Sequence, residues 1–145
     1  MSGAQYTLAG RLSVALPPAE AFELFTPRGE ERWVDGWSPR FPLDTGDDSA
    51  PGTVFETGTT TWVVVGREAG HWVSYARVTP GSRAGTVTVE VSGDGHGGSE
   101  VGVTYELTAL SPEGEEELRE FAAGYADFLG SWEAAIARQP RRSTT

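Results

Sequence analysis

Hydrophobic and polar positions alternate with period two through residues 6–16: Tyr6, Leu8, Leu12 and Val14 fall on one face, Thr7, Arg11 and Ser13 on the other. Alternation of this kind predicts a half-buried strand, and Gly10 within it predicts a bulge. Pro17 and Pro18 stop the strand. Residues 19–25 then set Phe22 and Phe25 at helical spacing, and Thr26-Pro27 supplies the cap and first position of a second short helix reaching Trp33. From 35 to 52 the chain is rich in Pro, Gly and Asp but carries Trp37 and Phe41, so it reads as a loop pinned to the body by aromatic rings.

Strand-like runs follow at 53–57, 60–67, 72–79, 85–92 and 101–110, separated by Glu68-Ala69-Gly70, by Pro80-Gly81 and by the polar stretch 93–99. Connections this short join neighbours, which predicts an antiparallel meander. In the last run Val101, Val103, Tyr105 and Leu107 alternate with Gly102, Thr104, Glu106 and Thr108, so the first set should face the core. The same rule turns Val87, Val89 and Val91 inward and leaves Glu56 and Glu90 on the solvent side. Residues 72–79 are ambiguous, because Trp72, Ser74, Ala76 and Val78 compete with Val73, Tyr75 and Arg77 for the inner face; the second set is taken as inward.

Ser111-Pro112 opens the final element as a cap and first helical residue, with Glu113, Glu115, Glu116 and Glu117 suiting the positive end of the helix dipole. One long helix is predicted to about Arg138, ended by Pro140 and followed by a tail at 141–145. At about 1.5 Å per residue it spans roughly 40 Å, enough to cross a whole sheet. Its apolar stripe is Leu118, Phe121, Tyr125, Phe128, Trp132 and Ala135. The small residues Ala122, Ala123, Gly124 and Ala126 leave two readings open: close packing on the sheet, or space that aromatic rings then line.

Composition narrows the function classes. A chain of 145 residues with 38% apolar and 10% aromatic residues fits one globular domain spanning 1–145. Its net charge of −10 lacks the basic footprint that phosphate backbones require, which argues against nucleic acid. No run approaches the roughly 20 apolar residues of a bilayer span, and residues 1–10 do not resemble a secretion signal, so a cytoplasmic protein without membrane insertion is expected. With no Cys and only His71 and His96, neither a disulfide framework nor a metal site is expected. Nucleotide-binding and hydrolase motifs are absent, and no cofactor is expected.

The run Leu16-Pro17-Pro18-Ala19-Glu20-Ala21-Phe22-Glu23-Leu24-Phe25 with Thr26-Pro27 is followed by Trp33-Val34-Asp35-Gly36-Trp37, Pro51-Gly52-Thr53-Val54-Phe55 and Phe128-Leu129-Gly130-Ser131-Trp132-Glu133. In this order and spacing they resemble the START-like or Bet v 1-like (SRPBCC) superfamily, within it the bacterial polyketide cyclase/dehydrase and lipid transport group. The resemblance spans nearly the whole chain. It implies an α+β helix-grip fold: a curved antiparallel β-sheet wrapped around a long C-terminal α-helix, with two short helices after the first strand. It also implies a cavity between sheet and helix that takes a hydrophobic small molecule, aromatic or lipid-like, in a monomer or homodimer.

The residues expected to meet such a ligand are Trp33, Trp37 and Phe41 from the loop region, Phe55, Tyr75, Arg77 and Tyr105 from strands, and Phe121, Tyr125 and Phe128 from the helix. Each aromatic has an alternative role as core packing or as a plug over the sheet edge. An inward Arg77 would need a carboxylate or an anionic ligand group beside it. Asp35, Glu56, His71, Glu90 and the two tyrosines form no recognisable catalytic spacing, and both histidines read as turn residues. The resemblance leaves three functions open: small-molecule binding or transport, a cyclase/aromatase-like enzyme, and an interaction module like the activators of the Hsp90 ATPase.

Overall fold

The structure is a computed structural model that describes residues 4–43 and 46–139. Strand β1 (Gln5–Val14) leads to helix α1 (Pro18–Glu23) and a 3-10 turn (Gly29–Arg32). Strands β2 (Val54–Thr57), β3 (Thr60–Glu68), β4 (Trp72–Thr79), β5 (Arg83–Gly93) and β6 (Ser99–Ala109) follow, and helices α2 (Pro112–Ala123) and α3 (Tyr125–Arg138) complete the fold. All strands join one antiparallel six-stranded sheet in the order β1-β6-β5-β4-β3-β2. The meander is therefore continuous from β2 to β6, and β1 closes onto the last strand.

Alternation decides which side chains enter the core. Val87, Val89 and Val91 on β5 are buried, as are Val101, Val103, Tyr105 and Leu107 on β6. On β4 the ambiguous register resolves with Val73 and Tyr75 buried and Arg77 on their face. Each buried aliphatic side chain contributes about 1.5–3 kcal/mol relative to an exposed one. The helices cover this face, α3 lying over β1 and α2 against β5 and β6.

Gly10 does not form a bulge. It pairs with Val103 in an uninterrupted register. A Cβ at this position would lie 2.6 Å from Cδ1 of Leu129 and 3.4 Å from the Tyr125 ring, so the glycine lets α3 approach the strand. The bulge lies instead on β3, where the register shifts between Val64 and Gly66 and Val65 turns outward.

The second short helix shrinks to the 3-10 turn. Thr26 Oγ1 does accept the Gly29 N–H at 3.1 Å in the manner of a cap. Gly29, however, packs so closely on the end of α1 that an added Cβ would sit 1.7 Å from the Glu23 carbonyl oxygen, and the coil goes no further than Arg32.

The long C-terminal helix is bent into two at Gly124 (φ −103°, ψ 14°). Gly124 N–H still donates to Glu120 O and accepts Phe128 N–H on its own carbonyl, so the hydrogen-bond ladder passes through the break. Burial also shifts around the helix. Leu118, Tyr125, Leu129 and Ile136 are fully enclosed, while Phe121, Phe128 and Trp132 are only partly so, and Ala123 and Ala126 face solvent. Pro140 and residues 141–145, expected to end the helix and form a tail, lie outside the described residues.

Two strand glycines should respond oppositely to the same substitution. A Cβ on Gly85 would come within 1.9 Å of the Glu106 backbone oxygen on β6, whereas a Cβ on Gly102 meets nothing within 4 Å. Gly85→Ala should destabilise the protein by about 1–3 kcal/mol through forced strand separation. Gly102→Ala should be neutral or stabilise by about 0.4–1 kcal/mol, because it restricts only the unfolded chain. Urea denaturation of the two variants checks this; equal effects would show that β5 and β6 do not touch so closely at Gly85.

Candidate ligand-binding site

Between the sheet, the 3-10 turn and α3 lies a cavity of about 210 Å³. Neighbouring strands supply one wall: Trp62 on β3 pairs in register with Arg77 on β4, and Tyr75, Val87, Val89 and Tyr105 extend the wall across β4, β5 and β6. Glu30, Val34 and Trp37 close it from the loop side, and Phe128 and Trp132 from α3. A cleft of about 280 Å³ adjoins it, lined by Trp33, Asp35, Ser131, Ala135 and Arg138, and shares Val34, Phe128 and Trp132 with the cavity.

Most aromatic tips around this space are tied to the protein. Tyr75 donates its hydroxyl to Phe25 O at 2.7 Å, Trp33 its indole N–H to Leu24 O at 2.8 Å, and Trp37 its own to Pro27 O at 2.7 Å. Trp62 donates to Thr57 Oγ1 at 2.8 Å and Tyr125 to Val103 O at 2.7 Å. Burial raises the Tyr75 hydroxyl well above its ordinary pKa, with the charges of Glu30 and Asp48 adding to the effect. Burial pushes Tyr125 up to about 12. These hydroxyls therefore stay neutral donors.

Three ionisable groups on the cavity lining are not satisfied in this way. Arg77 donates through one terminal nitrogen to Thr79 Oγ1 at 2.6 Å and lies over the Trp62 ring at 5.0 Å, but its Nε is buried without a partner. Burial lowers its pKa from the ordinary value, Tyr105 opposes this, and the nearby Arg83 charge acts with burial. Glu30 is half-buried with no hydrogen bond or ion pair to its carboxyl among the described residues, and desolvation raises its pKa well above 4.5. The Tyr105 hydroxyl likewise has no protein partner among them; burial raises its pKa first, the Glu30 charge raises it further, and Arg77 opposes both.

Of the residues anticipated from sequence, the structure gathers Trp37, Tyr75, Arg77, Tyr105 and Phe128 around the cavity. Trp33 lines the adjoining cleft instead. Phe41 and Phe55 stand behind the wall, Phe55 stacked on Trp62 at 5.7 Å and Phe41 5.6 Å from Phe55. Phe121 and Tyr125 pack edge-on against Tyr105 at 5.2 and 5.9 Å without reaching the cavity surface. Glu30, Val34, Trp62 and Trp132 were missed as site residues. Trp62 could have been found from its register opposite Arg77, but Glu30 stands in the charged run Gly29-Glu30-Glu31-Arg32, which carries no inward signal.

The raised pKa of Glu30 fixes the sign of a pH effect. Its folded-state value exceeds the 4.5 of a free carboxyl, so the stability linked to its bound proton is complete below about pH 4.5 and is lost as pH rises through the folded value. Glu30→Gln, which cannot ionise, should therefore gain stability over the wild type as pH rises from about 4 to about 8, by about 1.4 kcal/mol for each unit separating the two pKa values. Urea titrations at both pH values measure it. A stability difference independent of pH would mean that the carboxyl ionises as it does in water.

No protein-family model matches the chain, and no curated protein sequence does. Solved structures do match. An uncharacterized protein from Rhizobium leguminosarum superposes with a TM-score of 0.70 at 19% identity, over 95% of this chain and 98% of that one. CalU16 from Micromonospora echinospora gives 0.65 at 17% identity, over 93% and 87%. Norcoclaurine synthase of Thalictrum flavum, solved as a point mutant with a transition-state analogue, gives 0.62 at 14% identity, over 94% of each chain. This chain has the helix-grip fold of the Bet v 1-like proteins.

Proposed function

We propose that the protein binds a hydrophobic, flat small molecule in the cavity between the sheet and α3. The observation that carries this reading is the cavity itself, about 210 Å³ of space walled by aromatic and valine side chains and interrupted by only a few polar groups. Concave sites of this composition suit ligands that bury ring faces and orient themselves through one or two polar contacts. The likeness to a synthase solved with an analogue bound supports the reading by fold alone.

The same cavity has one group suited to proton transfer. Glu30 is a half-buried carboxyl on the cavity lining, and it favours a second reading, a cyclase-like enzyme in which that carboxyl moves a proton on the bound molecule. A molecule recovered by native mass spectrometry from freshly purified protein separates the two readings. Conversion by the wild type but not by Glu30→Gln supports catalysis; recovery unchanged from both supports a binding protein.

Binding itself is open to a direct optical test. Trp37, Trp62 and Trp132 face the cavity, three of the five tryptophans in the chain. Polyphenols, sterols and fatty acids titrated into the protein should therefore include compounds that quench its fluorescence, with Kd below about 100 μM, a ΔG° near −5.5 kcal/mol. Fluorescence unchanged across all three classes would remove the support for a small-molecule site.

A further inference from the structure

The cavity wall carries two opposite charge-bearing groups that do not serve one another. Glu30 sits on the 3-10 turn, held in place by the close packing of Gly29 on the end of α1 and by the Trp33 indole bonded to Leu24 O. Arg77 reaches in from β4, braced by Thr79 and the Trp62 ring. No ion pair joins them, and neither charge is among the causes that shift the other. Tyr105 lines the same cavity, and its hydroxyl feels both charges. The wall thus presents a carboxyl without a partner, a hydroxyl without a partner and a guanidinium whose Nε has none.

Buried polar groups in proteins are almost always hydrogen-bonded, and one left without a partner costs free energy. A purely apolar occupant would bury all three groups without satisfying any. We propose that the site selects a flat aromatic molecule with two polar ends, a carboxylate or other acceptor end taken by Arg77 and a hydroxyl donor end taken by Glu30. The guanidinium fork matches a carboxylate, and the carboxyl of Glu30 accepts a hydrogen bond whether or not it holds a proton. The Tyr105 hydroxyl offers a further polar contact, and the side chains of Trp37, Trp62 and Phe128 line the space for its apolar body. The proposal rests on the binding reading above and adds to it the chemistry of the ligand.

Four probes of one shape separate the contributions: propenylbenzene, with neither polar end; cinnamate, with the carboxylate; para-propenylphenol, with the hydroxyl; and para-hydroxycinnamate, with both. Calorimetric titration of the wild-type protein should show each polar group tightening binding by about tenfold, so that para-hydroxycinnamate binds best. In Glu30→Met the hydroxyl should confer no advantage while the carboxylate keeps its own. In Arg77→Met the pattern should reverse. A residue that merely supports the fold would weaken all four probes alike, and that result overturns the proposal. So does a wild-type protein that binds propenylbenzene as tightly as para-hydroxycinnamate, although it would leave the hydrophobic site standing. If none of the four binds, the binding reading falls with it. The wild-type comparison decides the matter even if either variant fails to fold.

Discussion

The cavity depends on aromatic side chains whose polar tips are bonded to the backbone of other elements. Tyr75 on β4 holds the Phe25 carbonyl just past α1, Tyr125 on α3 holds the Val103 carbonyl on β6, and Trp33 and Trp37 hold carbonyls at Leu24 and Pro27. A donor buried without such a bond costs about 1–3 kcal/mol, so rotating any of these rings into the empty space is opposed. The rings also brace one another: Phe55, Trp62 and Tyr75 form one cluster and Tyr105, Phe121, Tyr125 and Phe128 another. Packing that would otherwise close the core is held at its edges.

This arrangement explains the polar content of the space. Because these aromatic donors are bonded elsewhere, the Glu30 carboxyl receives none of them, while the Arg77 Nε–H, itself a donor, meets no acceptor. Glu30 bears the largest consequence. Its backbone is held by the close approach of Gly29 to Glu23, and the desolvation of its carboxyl in the cavity wall opposes its charge. Groups kept at such a cost mark functional sites more often than ordinary surface does.

The helix-grip frame is shared with proteins at 14–19% identity, which is possible because the frame needs pattern more than particular residues. Any valine-rich alternation that turns one face to a covering helix will serve. Fold likeness does not transfer what a neighbour binds or does.

Period-two alternation, short turns and a capped C-terminal amphipathic run were enough to read the strands, their antiparallel order and the final helix from sequence, because those features depend on neighbours along the chain. The inner faces of β5 and β6 followed from the same rule, and five of the anticipated site residues do meet at one cavity. What lay beyond reach depends on contacts between distant segments. Gly10 looks like a bulge until Leu129 is seen above it, and Gly124 looks like any helical residue until α3 settles on β1 and α2 reaches on to β5 and β6. Glu30 looks like a solvated charge in a charged run, and only the tertiary structure places it on the lining of the cavity that Arg77 shares. Hydrophobic periodicity reports which residues leave water, whereas the aim of one carboxyl is decided by the packing of a turn against a helix elsewhere in the chain.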